Sequence, residues 1–222
     1  MGTIAIIAGW SWGALLLSMF ISVSLLSRIG AAQKNARLGA VVAKSGDRDA
    51  AQLIANGAVF TIAALASLIW PAPIWYAVAA GALAFSAADT WATEIGTLSK
   101  GDPRSIVTWH RVPPGSSGGV SLRGSIGAIG GALFIALLAM FAEWPVSFAA
   151  VLLGGVAAAF ADSVIGATLQ VRRWCPTCDK PTERVIHDCG TPTNIVGGIH
   201  ALDNDAVNAL CSVIGALIAL AL

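Results

Sequence analysis

Charge is what this sequence has least of. Asp, Glu, Lys and Arg make up only 11% of the 222 residues, against 56% hydrophobic, and the mean hydropathy is +0.77. Those values exclude an ordinary soluble domain and indicate an integral membrane protein. An excess of one sign is also missing: the net charge of +1 offers no electrostatic footprint for nucleic acid. Cysteine is sparse, at 4 residues, which excludes a disulfide-dense secreted scaffold. Neither Gly-Lys-Ser/Thr nor Gly-x-Gly-x-x-Gly occurs, so Walker A and dinucleotide-binding loops are absent.

What is present is a series of long apolar runs. Requiring about 17 to 25 predominantly apolar residues per helix predicts six transmembrane spans, at roughly 3–26, 51–70, 74–95, 121–142, 146–170 and 205–222. The expected fold is all-α and polytopic, a single membrane domain over residues 1–222. No basic residue precedes the first run, which is also too long for a signal-peptide core, so it is expected to stay in the mature protein. All 13 Lys and Arg residues fall in or beside three long connections, about 27–50, 96–120 and 171–204. The two tight connections, at Pro71-Ala72-Pro73 and Glu143-Trp144-Pro145, carry none. The positive-inside rule then predicts three cytoplasmic loops and both termini on the opposite side.

Two acids lie inside apolar runs. Asp89, in Ala88-Asp89-Thr90-Trp91, and Asp162, in Ala161-Asp162-Ser163, sit on spans of the same direction and at comparable depth. An intramembrane carboxylate costs about 2.5–3.5 kcal/mol on insertion scales, so a pair of them suggests a cation site; packing residues, capped or paired with Arg, are the alternative. Ser86, Asp89 and Thr93 share one helical face, Thr90 and Glu94 an adjacent one, and Asp162, Gly166 and Gln170 a third stripe. Asp203-Asn204-Asp205 and Asn208 open the last span. They read either as a helix cap or as further oxygen ligands, and such ligands suit Mg²⁺.

The second long loop reads Pro113-Pro114-Gly115-Ser116-Ser117-Gly118-Gly119-Val120-Ser121, flanked by Lys100, Arg104, Arg111 and Arg123. Gly and Ser permit close backbone approach and supply N–H and hydroxyl donors, and the helix that follows points its positive end at them. The chemistry is that of a phosphate cradle, although such composition also makes simple connections. Gly124, Gly127 and Gly130-Gly131 recur at near-helical spacing, which predicts close helix packing rather than a site. In the third loop, Cys175-x-x-Cys178 followed by His187 and Cys189 forms a possible structural Zn²⁺ set, with free thiols as the alternative. Cys211 reads as a packing residue.

Several of these stretches together resemble a known family. They are Arg48 with Gln52-Leu53-Ile54-Ala55-Asn56-Gly57, Ala88-Asp89-Thr90-Trp91-Ala92-Thr93-Glu94-Ile95-Gly96, Val112 to Ser121, Ala161-Asp162-Ser163, and Leu202-Asp203-Asn204-Asp205-Ala206-Val207-Asn208. In this order they are similar to the integral membrane family that contains phytyl-phosphate kinase and animal transmembrane protein nineteen, over about residue 30 to the C-terminus. The Cys/His set lies outside that resemblance.

The resemblance implies a polytopic kinase that converts a prenyl monophosphate, such as phytyl phosphate, to the diphosphate. The donor would be a nucleoside triphosphate, CTP rather than ATP. The residues fit phosphoryl transfer, which needs metal, backbone donors and cations more than covalent chemistry. On this reading Asp89, Glu94, Asp162 and Asp205 hold Mg²⁺. Arg111, Lys100, Pro114, Gly115, Ser116, Ser117, Gly118, Gly119 and Ser121 cradle the nucleotide, Asn204 and Asn208 complete the shell, and Arg48 and Asn56 meet the acceptor phosphate. The expected setting is a bacterial inner membrane with the site facing the cytoplasm. The rival readings are a CTP-dependent lipid cytidylyltransferase, which needs the same parts, and an ion-coupled transporter built on the Asp pair.

Overall fold

The computed structural model describes residues 1–38 and 50–222. Among these residues eight helices follow in chain order: α1 Gly2–Ala8, α2 Trp10–Arg28, α3 Ala31–Leu38, α4 Ala50–Ile69, α5 Ile74–Gly96, α6 Leu122–Phe141, α7 Phe148–Thr168 and α8 Asn204–Ala221. Five of them, α2, α4, α6, α7 and α8, are long and apolar enough to cross a membrane. The expected first span is two helices, because Gly9 takes φ 150° and ψ 157° between α1 and α2, a conformation that is essentially restricted to glycine.

The expected third span is α5, and it is not among those five. It is the central post of the bundle, in contact with α2, α4, α6, α7 and α8. Every residue from Ala79 to Ala88 is buried, as is Thr90. Small side chains make this possible, since in lipid helices approach closely where glycine and alanine line the contact. A Cβ on Gly131 of α6 would stand 2.6 Å from the Ala87 carbonyl carbon and 2.8 Å from the Ala88 nitrogen. Gly127 faces the Trp91 carbonyl in the same way, and a Cβ on Gly155 of α7 would meet Ala84 and Ala132 Cβ at 2.8 and 2.9 Å. The glycines of α6 are thus packing residues. We expect Gly131→Ala to cost about 1–3 kcal/mol through overpacking against rigid backbone. Gly130→Ala, whose Cβ would meet only the Trp91 ring at 3.4 Å, should be tolerated. Thermal unfolding of the two variants in detergent makes the comparison.

At one end of the bundle an aromatic cluster closes the core. Trp12 packs against Phe60, Tyr76 and Trp144 with ring centroids 5.7, 5.0 and 4.8 Å apart, and Trp144 Nε1 donates to Ser11 Oγ at 3.0 Å. At the other end the long connections fold on themselves. β1 (Arg104–Ser105) pairs antiparallel with β2 (Gly119–Val120), with Arg104 opposite Val120. β3 (Arg172–Cys175), β4 (Lys180–Thr182) and β5 (Asn194–Gly197) form an antiparallel sheet in the order β4-β3-β5. The sequence predicts no strands here, because segments of two to four residues with few apolar side chains carry no alternating pattern.

Candidate functional site

Asp89 lies on α5 and Asp162 on α7, both half-buried, and they are close enough for their carboxylates to repel one another. Asp162 also shares a hydrogen bond with Cys211 of α8. Its Oδ2 is buried and has no hydrogen-bond partner among the described residues. A buried carboxylate oxygen without a partner is costly, and such atoms call for an explanation. Both acids open on a cavity of about 1240 Å³.

The Gly/Ser loop is laid directly against α7. Gly118 has φ 75°, and a Cβ there would lie 2.6 Å from the Ser163 carbonyl oxygen and 2.7 Å from Ala167 Cα. Only glycine supplies both the left-handed backbone and the clearance. The loop therefore passes within one helical turn of Asp162, and Pro114, Gly115, Ser116, Ser117, Gly118, Gly119 and Ser121 all line the cavity. Ser121 doubles as the N-cap of α6, accepting from the Gly124 backbone N–H at 3.1 Å.

The start of α8 forms a third wall. Asp203 caps the helix, accepting from the Ala206 N–H at 2.9 Å, while Asn204, Asp205 and Asn208 line the cavity. Cap and cavity wall are thus neighbouring roles in one segment. Glu94 also lines the cavity, with both carboxylate oxygens engaged. Ser27 Oγ donates to Oε1 at 2.5 Å, and Lys34 Nζ to Oε2 at 2.6 Å. Lys34 is only 4% exposed and gives a further hydrogen bond to the Leu26 carbonyl.

Other expected residues stand apart. Lys100 and Arg111 are exposed and outside the cavity lining; the Arg111 backbone instead bridges to Arg104. Asn56 is half-buried on α4, also outside the lining, with Oδ1 lacking a hydrogen-bond partner among the described residues. Arg48 lies outside the described residues. Among the described residues the cations that line the cavity are Arg28, Lys34, Arg173 and Arg184. Glu183 was not anticipated either. It follows β4 into the cavity, where it pairs with Ser117 Oγ and accepts from Gln170 Nε2 at 3.3 Å, so the third loop is tied to the Gly/Ser loop. Its position depends on the β3–β4 hairpin, for which the sequence carried no signal.

The third loop also brings Cys175, Cys178, His187 and Cys189 together, with one ligand atom from each lying within 4.8 Å of the others. Hydrogen bonds with Thr191 and His187 hold the Cys189 thiol down at about 6. The hydrogen bond with Cys189 pushes Cys178 up to about 11.

The profile of the family described as integral membrane protein DUF92 matches residues 1–216. The chain belongs to that family. The family resemblance carried by its separated motifs is borne out. Among the relatives of this chain is Protein PGR of Arabidopsis thaliana, 28% identical over 93% of this chain and 79% of its own length. An uncharacterized membrane protein of Methanocaldococcus jannaschii is 31% identical over 73% of this chain and 66% of its own. One of Synechocystis is 30% identical over 75% and 66%. No solved structure matches the chain.

Proposed function

We propose that the chain is a Mg²⁺-dependent lipid-phosphate kinase. It would transfer a phosphoryl group from a nucleoside triphosphate, CTP in preference to ATP, to a prenyl monophosphate such as phytyl phosphate, giving the prenyl diphosphate. The observation that carries this reading is convergence. Residues from all three basic connections meet the two intramembrane acids at one cavity, whereas neither tight connection contributes to it. This arrangement also supports a site on the cytoplasmic face, with a bacterial inner membrane as the proposed setting.

The donor set fits Mg²⁺, since it is all oxygen and includes the unpartnered Asp162 Oδ2. Asp89, Asp162 and Asp205 would hold the ion, which when bound supplies positive charge among phosphate oxygens. Glu94 would join them through the lone pairs left beside its bonds to Ser27 and Lys34. Gly115 to Gly119 offer backbone N–H groups and hydroxyls to the donor's phosphates, together with Asn204 and Asn208. Arg28, Arg173 and Arg184 line the same cavity and provide the cations assigned on sequence to Lys100 and Arg111. Arg48, which lies outside the described residues, and Asn56 of α4 remain the proposed contacts for the acceptor phosphate. That acceptor is already ionised at neutral pH, so no strong base is needed, and no histidine lines the cavity. Phe20, Leu53 and Phe160 give the wall an apolar sector suited to a prenyl chain.

The test is a radiolabel assay on the purified protein with Mg²⁺, γ-labelled CTP or ATP, and a panel of prenyl monophosphates. Label in a lipid diphosphate is the expected result. Pyrophosphate released from CTP without labelled lipid would assign a cytidylyltransferase instead. Silence in both assays, with uptake into proteoliposomes, would assign a transporter.

A further inference from the structure

We propose that Cys175, Cys178, His187 and Cys189 bind one Zn²⁺ ion that ties the β3–β4 hairpin to the turn at residues 187–190 and so holds the third loop over the cavity. Three cysteines and a histidine form a standard closed tetrahedral set for structural zinc. In such a site, with Zn–S near 2.3 Å, neighbouring sulfurs stand about 3.8 Å apart. Here Cys175 Sγ and Cys189 Sγ are 3.6 Å apart, and His187 Nδ1 is 3.3 Å from Cys189 Sγ. Two of the ligand pairs thus stand close to metal-site spacing and all four ligand atoms lie within 4.8 Å of one another, although they come from two separate stretches of chain.

The backbone around them is shaped to present the thiols. The Asp179 N–H bonds the Cys175 carbonyl at 3.0 Å, and Asp179 takes φ 53°, a left-handed turn that Asp tolerates better than most residues. The Cys178 N–H points at Cys175 Sγ from 3.5 Å, the kind of outer contact that orients a metal-bound thiolate. On the second arm, the Gly190 N–H bonds the His187 carbonyl at 2.8 Å, with Gly190 at φ 79°. A Cys175–Cys189 disulfide would use two of the four groups and leave Cys178 and His187 unexplained. A reducing cytosol also disfavours it.

The segment between the two arms, residues 179–186, carries Glu183 and Arg184 into the cavity. Zinc would fix both ends of that segment, and its role would be structural whatever reaction the cavity performs.

The full-length protein, purified in detergent without a histidine tag, should contain about one zinc per chain by elemental analysis. Cys175→Ser with Cys178→Ser should lose it, while Cys211→Ala should keep it. Exchange for Co²⁺ in the unmutated protein should give the intense visible bands of a tetrahedral site with sulfur-to-metal charge transfer, which keeps the test decisive even if the cysteine variants fail to fold. Chelated protein should be cut by trypsin after Arg184, and zinc-loaded protein should resist. Less than about half an equivalent of zinc, iron in its place, weak octahedral cobalt spectra, a Cys175–Cys189 disulfide, or equal trypsin resistance after stripping would overturn the proposal.

Discussion

Asp162→Asn is expected to lower turnover about 100- to 1000-fold while leaving the protein as stable as before, or slightly more so. The asparagine keeps the shape of the side chain and removes its charge. A charge acting on the reacting phosphates is worth about 2.7–4 kcal/mol of transition-state stabilisation, by comparison with the loss of one preorganised electrostatic contact. In the resting protein the same carboxylate adds little to the fold, because it keeps a buried oxygen without a hydrogen-bond partner among the described residues. Steady-state kinetics beside thermal unfolding in detergent reads both effects. Turnover within about threefold of the parent would remove Asp162 from the metal set, and a large loss of stability would make it a packing residue.

Glu94→Gln is expected to have the opposite signature, with its main effect on stability. The neutral amide leaves the Lys34 ammonium buried without its counter-charge, and breaking a buried pair from one side costs about 3–5 kcal/mol. At about 2–4 °C per kcal/mol for a chain of this size, the unfolding midpoint should fall on the order of 10 °C. The double variant Lys34→Met/Glu94→Gln should recover most of that loss, since no uncompensated charge remains. If Glu94 also serves Mg²⁺, the double variant will be stable and inactive. A Glu94→Gln protein with an unchanged midpoint would show that the pair contributes nothing to the fold.

These two acids show how far the sequence could be read. Asp89 and Asp162 were legible because an ionisable group within an apolar run stands out against the cost of placing it there. The Gly/Ser loop and the start of α8 were legible by composition, and the structure brings both to the same cavity. Glu94 was legible as a possible metal ligand but not as the partner of Lys34, because 60 residues separate them and a pairing at that distance is decided by packing alone. Arg111 and Lys100 were chosen for their nearness to the Gly/Ser loop in the chain, yet Arg173 and Arg184 reach the cavity from a different connection. Their approach depends on a small sheet whose strands are too short to announce themselves. The break at Gly9 was equally hidden, since hydropathy sums over a window and registers no backbone angle.

The position of α5 bears on how the chain is made. A ribosome delivers α4 and α5 almost together, joined by the short Trp70–Pro73 turn, but α5 is not among the helices apolar enough to cross a bilayer unaided. Two of its partners, α2 and α4, precede it, and three arrive later: α6 covers it through Gly127 and Gly131, α7 through Gly155, and α8 last, through Gly215 against Gly81. The contacts that bury α5 are therefore completed in chain order, the last of them with the C-terminal helix. A chain lacking α8 would leave Gly81 of α5 and Gly154 of α7, both packed against the Gly215 carbonyl, without that common partner.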